Sequence, residues 1–394
     1  MKMFKKIVCV VLDGVGVGEA PDAAAFGDGG SNSLGNTARH VGELRLPSLE
    51  RLGLGNIISI EGVPPVVSPR AYHGKMTPVA PGKDSTSGHW ELMGCVLEQP
   101  FPVYDHGFPD EIIEAFETRT GSKVIGNKPA SGTVIIEELG ADHMRTGDPI
   151  LYTSQDSVFQ IAAHESVIPL SELYRMCETA RSILQHPHNV ARVIARPFLG
   201  EPGGFYRTAG RRDFSLPPSK ETILDRLVDN DLPVHVIGKI HDLFAGRGIT
   251  THVPTKSNRD GMSAMLDALA GGDRSALVFT NLVDFDTMWG HRNDPRAYAL
   301  GLEEFDSHLG PLLSAMGDDV LLIITSDHGT DPTTPSTDHS REYVPLLVYY
   351  AGAPRDRVRD LGVRTSFADV GKTIADNFGL AAGFPGRSFL GDIV

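Results

Sequence analysis

Acidic side chains follow three of the most apolar segments of the chain, at the point where each segment ends. IVCVVL leads into Asp13, ALVFTNLV leads into a D-F-D sequence ending at Asp286, and VLLIIT leads through one serine into Asp327. A single aspartate in such a position is commonly a turn former or a helix cap. Three of them predict a shared site, because ligands of open α/β sheets bind outside the carboxyl ends of the strands.

Three histidines lie close in sequence to these aspartates. His291 follows Asp286 by five residues, His328 directly follows Asp327, and His339 comes eleven residues later. Neighbouring strand residues point to opposite faces, so Asp327 and His328 can share a site only where the strand has ended; the glycine after them permits that turn. Mixed Asp and His ligands favour divalent ions such as Mn²⁺ or Zn²⁺. Three residues of each type are enough for two ions, as in two-metal phosphoryl-transfer sites.

A hydroxyl-rich segment, GKDSTSGHWE at 82–91, offers candidate nucleophiles. An ordinary loop or a helix N-cap is the alternative for such a segment. It is not a Walker A loop, since Asp84 stands where a serine or threonine should follow Lys83. The segment GVGVG at 14–18 is not a dinucleotide fingerprint either, because the third glycine of G-x-G-x-x-G would fall at Glu19.

The elements that must position these residues alternate between strand and helix. The strand candidates are mostly continuous apolar runs, as expected in a buried parallel sheet; they are 7–12, 233–238, 276–283, 320–325 and 344–350. Helical spacing predicts helices at 262–269 and 295–316, with Pro311 as a kink or an early end of the second. The alternation predicts an α/β domain with a mostly parallel sheet between helices.

The segment at 100–217 differs, because it is rich in glycine and proline and carries few long apolar strands. Helical patterns at 110–118 and 170–184 alternate there with short extended pieces. We predict a smaller α+β domain at 100–217, inserted into a core domain formed by 1–99 and 218–394, since surface loops of a stable sheet tolerate insertions. One large domain with long loops is the alternative.

The composition argues against several classes of protein. The 394 residues are 41% hydrophobic and 22% charged, which is ordinary for a globular protein. A net charge of −14 argues against binding to nucleic acid or to an anionic membrane. Three scattered cysteines without a C-x-x-C pair predict a reducing compartment, the cytoplasm. The first apolar run is too short for a signal peptide, and no run reaches the roughly 18 residues of a membrane helix.

Segments along nearly the whole chain resemble the phosphopentomutases of the alkaline phosphatase superfamily. Among them are VLDGVGVGEAPD at 11–22, GKDSTSGHWE at 82–91, IGNKPASGT at 125–133, NLVDFDTMWGHR at 281–292 and TDHSREYVP at 337–345. The resemblance implies an alkaline-phosphatase-like core domain, with the insert at 100–217 as a mobile cap. It also implies two divalent metal ions, with Mn²⁺ as the expected metal.

The resemblance further implies roles for individual residues. One ion is assigned to Asp13, Asp327 and His328, and the other to Asp286, His291 and His339. The nucleophile falls at Ser85, where the family pattern has threonine. Serine keeps the hydroxyl but lacks the stiffness of a β-branched side chain. Thr86 is the rival nucleophile.

The implied reaction interconverts α-D-ribose 1-phosphate and D-ribose 5-phosphate, and the 2-deoxyribose pair. A phosphorylated Ser85, a pentose 1,5-bisphosphate intermediate and glucose 1,6-bisphosphate as activator belong to this hypothesis. Arginine binds phosphate in a bidentate manner, and aspartate can bind sugar hydroxyls. The candidates for substrate binding are Asp156, Arg192, Arg196, Arg207, Arg211 and Lys239, each with a solvated surface role as the alternative.

Two other interpretations stay open at this point. A phosphatase, a phosphodiesterase or a metal-dependent phosphoglycerate mutase of the same superfamily would use the same ions, but the insert and its RVIARPF segment argue against them. A catalytically silent metal-binding protein is disfavoured by the presence of all six candidate ligands. We expect small pentose phosphates as binding partners, no nucleic acid and no membrane, and among oligomeric states we favour a monomer.

Overall fold

The computed structural model describes residues 3–154, 157–270, 274, 276–354 and 358–394. The strands in these ranges are β1 (Lys6–Leu12), β2 (Tyr72–Met76), β3 (Ile125–Pro129), β4 (Ile150–Thr153), β5 (Val158–His164), β6 (Arg192–Leu199), β7 (Tyr206–Arg207), β8 (Arg212–Ser215), β9 (Val234–Ile237), β10 (Thr251–Val253), β11 (Leu277–Leu282), β12 (Val320–Thr325), β13 (Val344–Tyr349) and β14 (Asp360–Arg364). The α-helices there are α1 (Ser33–Val41), α2 (Pro47–Leu52), α3 (Ser85–Leu92), α4 (Asp110–Thr120), α5 (Gly132–Thr146), α6 (Leu170–Ile183), α7 (Ile223–Val228), α8 (Ile240–Leu243), α9 (Asn258–Ala270), α10 (Pro295–Ala315), α11 (Ala368–Asn377) and α12 (Leu390–Ile393). Within the described ranges, no helix is long and apolar enough to cross a membrane. The chain divides into two compact units, Met1–Pro100 with Pro218–Val394, and Phe101–Pro217.

The first unit is built on a sheet with the strand order β10-β9-β11-β1-β12-β13-β2-β14. From β10 to β12 all neighbours are parallel, whereas β13 is antiparallel to β12 and to β2, and β14 is parallel to β2. Every residue of β11, β12 and β13 is buried, as their continuous apolar sequences predict. The predicted fold class, a mostly parallel α/β sheet between helices, is therefore confirmed.

Helix α10 covers the inner strands of this sheet. Asp294 caps its first turn by accepting a hydrogen bond from the Ala297 N–H over 3.0 Å. Tyr298, Leu302 and Phe305 lie on its buried side and pack in one cluster with residues of β1, β11 and β12. The helix continues through Pro311 to Ala315, so the proline neither ends it early nor removes its last turn.

Three strands of the first unit were not predicted from the sequence. The strands β10 and β14 lie at the two edges of the sheet, where exposed polar residues replace the apolar run. The strand β2 is interior, but its sequence YHGKM is short and mixed. A Cβ atom on Gly74 would come within 2.6 Å of the Gly362 carbonyl oxygen, so glycine allows the irregular pairing of β2 with β14.

The second unit contains a mixed sheet with the order β3-β4-β5-β6-β7, and β8 pairs with β6. One face carries α4 and α6 over Phe159, Ile161 and Val193, and α5 packs against the opposite face. The strands β5 and β6 are longer than the short extended pieces predicted for this segment. The reason is that polar residues, Gln160 in β5 and Arg196 in β6, interrupt runs that are otherwise apolar.

Candidate active site

Neighbouring strands bring the three aspartates together. Because β1, β11 and β12 are parallel, their carboxyl ends lie at one edge of the sheet. Asp13 follows β1 directly, Asp286 lies in the π-helical turn Phe285–Trp289 after β11, and Asp327 comes two residues after β12. All three side chains are buried. The Gly14 N–H donates to Asp327 Oδ1 over 3.2 Å and so links the loops after β1 and β12.

The three histidines lie against this carboxylate cluster. The ring of His339 stacks on that of His328 at 3.9 Å and lies 4.7 Å from that of His291, centroid to centroid. Each ring donates from Nδ1 to a backbone carbonyl, which can only accept. The carbonyls belong to Thr337 for His291, Gly329 for His328 and Lys83 for His339, at 2.7, 3.0 and 2.8 Å. Nε2 is therefore the nitrogen of each ring that faces the carboxylates, and the orientation by a carbonyl on Nδ1 is the one found in most metal-ligating histidines.

Ligand atoms converge in two groups in which all atoms lie within 4.8 Å of one another. In the first group, Asp286 Oδ1 lies 3.1 Å from His339 Nε2 and 3.3 Å from His291 Nε2, and the two imidazole nitrogens are 3.1 Å apart. Two imidazole nitrogens and a carboxylate oxygen face one another there within 3.3 Å. This donor set fits a divalent cation.

The second group contains Asp13, Asp286 and His328. His328 Nε2 lies 3.2 Å from Asp13 Oδ1 and 3.3 Å from Asp327 Oδ2, although Asp327 itself is not part of the group. The structure thus brings all six sequence-predicted ligands to one place. It differs from the assignment implied by the family resemblance in placing Asp286 in both groups, where it can contact either ion.

The charges of the cluster stabilise ionised carboxylates. Burial alone would raise the pKa of Asp286, but His339 and His291 outweigh it and hold that pKa well below its usual range. Burial acts in the same direction on Asp327, yet the imidazoles beside it, first of all His328, lower its pKa to about 2. Burial opposes a charged His328 ring, but Asp327 most of all raises the pKa of His328 well above its ordinary value. These carboxylates therefore attract cations strongly.

Ser85 is the first residue of α3 and faces this cluster. Its Oγ lies 3.2 Å from His328 Nε2 and 3.5 Å from Asp13 Oδ1, and its side chain is buried. Asp84 fixes the start of the helix by accepting from the Ser87 N–H over 2.9 Å. A hydroxyl at a helix N-terminus lies where the partial charges of the backbone N–H groups favour a phosphoryl anion.

Two buried charged residues that sequence reasoning missed shape the segment before Ser85. Arg341 donates to the carbonyls of Ala80 and Gly82 over 2.6 and 2.7 Å. Glu91 accepts from the Ala80 N–H over 2.7 Å. The only signal in the sequence was their position in the GKDSTSGHWE and TDHSREYVP segments.

Glu342 is a third such residue and fixes the loops around the site. It accepts hydrogen bonds from the Ser33 N–H and from the hydroxyls of Ser33 and Ser340. A Cβ on Gly16 or Gly329 would come within 2.2 or 2.5 Å of its carboxylate oxygens, so the two glycines provide the space that it fills. Burial raises the pKa of Glu342 to about 7 in spite of these donors.

The described candidates for substrate binding belong to two different units. In the second unit, Arg192 lies in β6 with its Nη1 at 3.6 Å from Asp213, Arg211 pairs with the same carboxylate at 2.8 Å, and Arg207 is exposed at the end of β7. In the first unit, Lys239 precedes α8 and is half-buried. Asp156 lies outside the described residues.

Lys83, two residues before Ser85 in sequence, is held by two other residues. Its Nζ lies 3.1 Å from Asp28 and 3.2 Å from Asp338. Both carboxylates are largely shielded from solvent, as is the ammonium group. Lys83 therefore fixes the loop before α3 through its ion pairs, and a phosphate would have to compete with these two carboxylates for it.

Comparison with known proteins gives consistent matches over the whole chain. Residues 5–382 match the family model described as Metalloenzyme superfamily. Phosphopentomutases of Dictyoglomus thermophilum and Dictyoglomus turgidum are 57% and 58% identical over 390 residues, covering 99% of this chain and 99% and 98% of their own. The structure of a Pyrococcus horikoshii protein has the same fold, with a TM-score of 0.51 at 16% identity, over 97% of this chain and all of that one. The chain therefore belongs to the phosphopentomutase family of the metalloenzyme superfamily and is an isomerase.

Proposed function

We propose that the chain interconverts α-D-ribose 1-phosphate and D-ribose 5-phosphate, and the 2-deoxyribose pair, through a phosphorylated Ser85. The observation that supports this most is the Ser85 hydroxyl, buried at the N-terminus of α3 and 3.2 Å from His328 Nε2. Membership of the phosphopentomutase family supports the pentose phosphates as substrates. Free, buried cysteines support a cytoplasmic location.

We propose that the six ligand candidates hold two divalent ions, with Mn²⁺ as the metal. They are Asp13, Asp286, His291, Asp327, His328 and His339. Bound there, the ions would neutralise phosphoryl oxygens and favour the alkoxide of a nearby hydroxyl. The ring orientations described above support this proposal, since all three rings turn Nε2, and not Nδ1, toward the carboxylates.

The chain's own residues would then carry out a transfer in two halves. In the first half, phosphorylated Ser85 gives its group to the free hydroxyl of the pentose monophosphate: the sugar oxygen forms a bond to phosphorus while the bond from phosphorus to Ser85 Oγ breaks, which yields the pentose 1,5-bisphosphate. In the second half, Ser85 Oγ forms a bond to the other phosphorus of the bisphosphate while the bond from that phosphorus to the sugar oxygen breaks, so the isomeric monophosphate is released and Ser85 is phosphorylated again. The buried position of Ser85 helps to exclude water, which would otherwise accept the group. Glucose 1,6-bisphosphate is the proposed donor of the first phosphoryl group.

We propose that the second unit, Phe101–Pro217, is the substrate-recognition domain. Arg192 Nε and the Ser215 hydroxyl lie on directly paired positions of β6 and β8, and both are buried without a hydrogen-bond partner among the described residues. Arg196 donates to Gln160 over 3.0 Å on the same face. Buried polar groups normally have partners. A phosphate or a sugar hydroxyl would supply them, with Arg207, Arg211, Asp156 and Lys239 as further candidates.

The test is a ³¹P NMR assay of the purified protein with Mn²⁺, a trace of glucose 1,6-bisphosphate and ribose 1-phosphate. Conversion to ribose 5-phosphate with little inorganic phosphate is the expected result. Ser85→Ala should abolish both turnover and covalent labelling by the donor, whereas Thr86→Ala should retain them. Inorganic phosphate as the main product would show a hydrolase, and labelling that persists in Ser85→Ala would exclude Ser85 as the nucleophile.

A further inference from the structure

We infer that His89 and Asn281 form a positioning pair that orients the carboxylates of Asp13 and Asp327 for metal binding. The inference rests on the metal site of the proposed function. His89 lies one turn after Ser85 in α3, and Asn281 lies near the end of β11. Both side chains are almost completely shielded from solvent, with exposed fractions of 0% and 1%. Neither residue is a metal ligand candidate, and neither takes part in the contacts of Arg341, Glu91 and Glu342 described above.

The amide of Asn281 can have only one orientation. Its Nδ2 lies 2.9 Å from Asp13 Oδ2 and 3.1 Å from His89 Nε2. An ionised carboxylate only accepts hydrogen bonds, so the nitrogen of the amide, not its oxygen, must face Asp13. The second amide hydrogen is then available to His89 Nε2, which must accept it.

This orientation determines the tautomer of His89. With Nε2 as the acceptor, the proton of the ring is on Nδ1. Nδ1 lies 3.0 Å from Asp327 Oδ2 and 2.8 Å from the Ser85 carbonyl oxygen, and both of these atoms are acceptors. Hydrogen bonds therefore run from Asp13 through Asn281 to His89, whose Nδ1–H donates to the Ser85 carbonyl and lies in contact with Asp327 Oδ2.

The pair contacts one oxygen of each carboxylate. Asn281 holds Asp13 by Oδ2, and the other oxygen, Oδ1, faces Ser85 and His328. His89 holds Asp327 by Oδ2, while the loop after β1 holds Oδ1. Partners of this kind typically change metal affinity by 10- to 100-fold when they are removed.

A purely structural role is the competing explanation, since the His89 ring also packs near Phe279 at 6.0 Å between centroids. Two substitutions distinguish the explanations, because each places an amide near a different ring nitrogen of His89. The amide of His89→Asn reaches approximately the position of Nδ1 and can still donate to Asp327. The amide of His89→Gln reaches approximately the position of Nε2 and loses that donor. Packing alone predicts equal effects of the two substitutions on metal binding.

The experiment is a calorimetric titration of Mn²⁺ into the full-length wild-type protein and both variants, with thermal unfolding as the folding control. We expect His89→Gln to bind Mn²⁺ roughly 10- to 100-fold more weakly than wild type. His89→Asn should stay within about threefold, a smaller loss than removal of the partner causes. The same pair of substitutions at His143, which is buried in the second unit, should leave Mn²⁺ affinity unchanged. Equal losses in the two His89 variants, or no loss in either, would overturn the inference.

A measurement on the wild-type protein keeps the inference testable if either variant fails to fold. The ¹⁵N shifts of selectively labelled histidine rings distinguish the two tautomers, and we expect His89 to carry its proton on Nδ1. A proton on Nε2 contradicts the inference. If the wild-type protein binds no Mn²⁺, the metal site of the proposed function is wrong. If the wild type binds Mn²⁺ and the two His89 variants bind it equally well, only the inference about His89 and Asn281 is wrong.

Discussion

At the scale of single residues, the nucleophile position differs from the family pattern by one methyl group. Ser85→Thr restores that pattern and keeps the same nucleophilic oxygen. We expect mutase turnover to stay within roughly tenfold of the original rate, because threonine keeps the same hydroxyl and its β-branch only restricts the χ1 angle. Steady-state assays of Ser85→Thr beside Ser85→Ala test this, and equal loss in the two variants would exclude a role for the hydroxyl.

Glu342 gives a prediction about the pH dependence of stability. Its pKa is raised to about 7 in the folded protein, so between roughly pH 4.5 and 7 the folded state binds a proton that the unfolded state has released. The stability that this proton provides is present at low pH and is lost as the pH rises through 7. The expected difference is about 3 kcal/mol in the free energy of unfolding.

Urea unfolding of the wild type and of Glu342→Gln at pH 5 and pH 8 measures this difference. The glutamine cannot titrate. The change in the unfolding free energy of the Glu342→Gln variant between the two pH values therefore measures the contribution of all other titrating groups. We expect the wild type to lose more stability than the variant on going to pH 8. Parallel changes in the two proteins would show that Glu342 is ionised in the folded state throughout this range.

Residue identities alone predicted much of the site. The aspartates could be chosen because each follows a buried strand, and the histidines because they lie near those aspartates in sequence. The position of Asp286 in both groups could not be foreseen, since it depends on the π-helical turn after β11. Asn281 and His89 gave no signal of their own, because nothing in sequence links an amide in a strand to a histidine almost 200 positions away.

At the scale of elements, the N-terminus of α3 must be held in place for Ser85 to act. Asp84→Ala removes the N-cap and should cost about 1 kcal/mol of stability. It should also lower kcat, because the residue after the cap is Ser85, the proposed nucleophile. Asp294→Ala at the start of α10 is the matched control, since that side chain caps its helix in the same way. We expect the two variants to lose similar amounts of stability, and kcat to fall only in Asp84→Ala. Equal kcat values in the two variants would contradict the prediction.

The close contact between α3 and the loop after β12 depends on a glycine. A Cβ on Gly88 would lie 2.2 Å from the Asp327 carbonyl oxygen, which is part of the backbone and cannot move easily. Gly88→Ala should therefore destabilise the protein by about 1–3 kcal/mol, as overpacking does. It should also reduce Mn²⁺ affinity. Gly391→Ala, in α12 with no atoms within 4 Å, is the control, and a Gly88→Ala variant with unchanged Mn²⁺ binding and stability would exclude this contact as a requirement.

Elements were predictable where one physical preference dominated. The strands β1, β11, β12 and β13 are buried and almost purely apolar, and all were predicted to within one or two residues. Prediction failed for the edge strands β10 and β14, whose residues contact solvent on one side. The lengths of β5 and β6 were also underestimated. Their polar residues lie on one face of a sheet, and the sequence alone does not reveal that face.

At the scale of the whole molecule, metal binding should affect the two units differently. All six ligand candidates belong to the first unit. Ligand bound only to the folded state stabilises it by about 3 kcal/mol at 100 times the dissociation constant. Chelation of the ions should therefore increase hydrogen exchange in the loops after β1, β11 and β12, with little change in β5 and β6. Equal increases in both units would contradict a metal site confined to the first.

The position of β1 has a consequence for how the chain is made. This strand lies between β11 and β12, so neither neighbour exists until about 270 further residues have been synthesised. At roughly 5–20 residues per second, that is a delay of about 15–55 s. During this time an apolar strand is present without the partners that bury it. A strand that leaves the ribosome well before both of its neighbours is thus among the last to be completed, and the nascent chain depends on whatever protects it from aggregation in the interval.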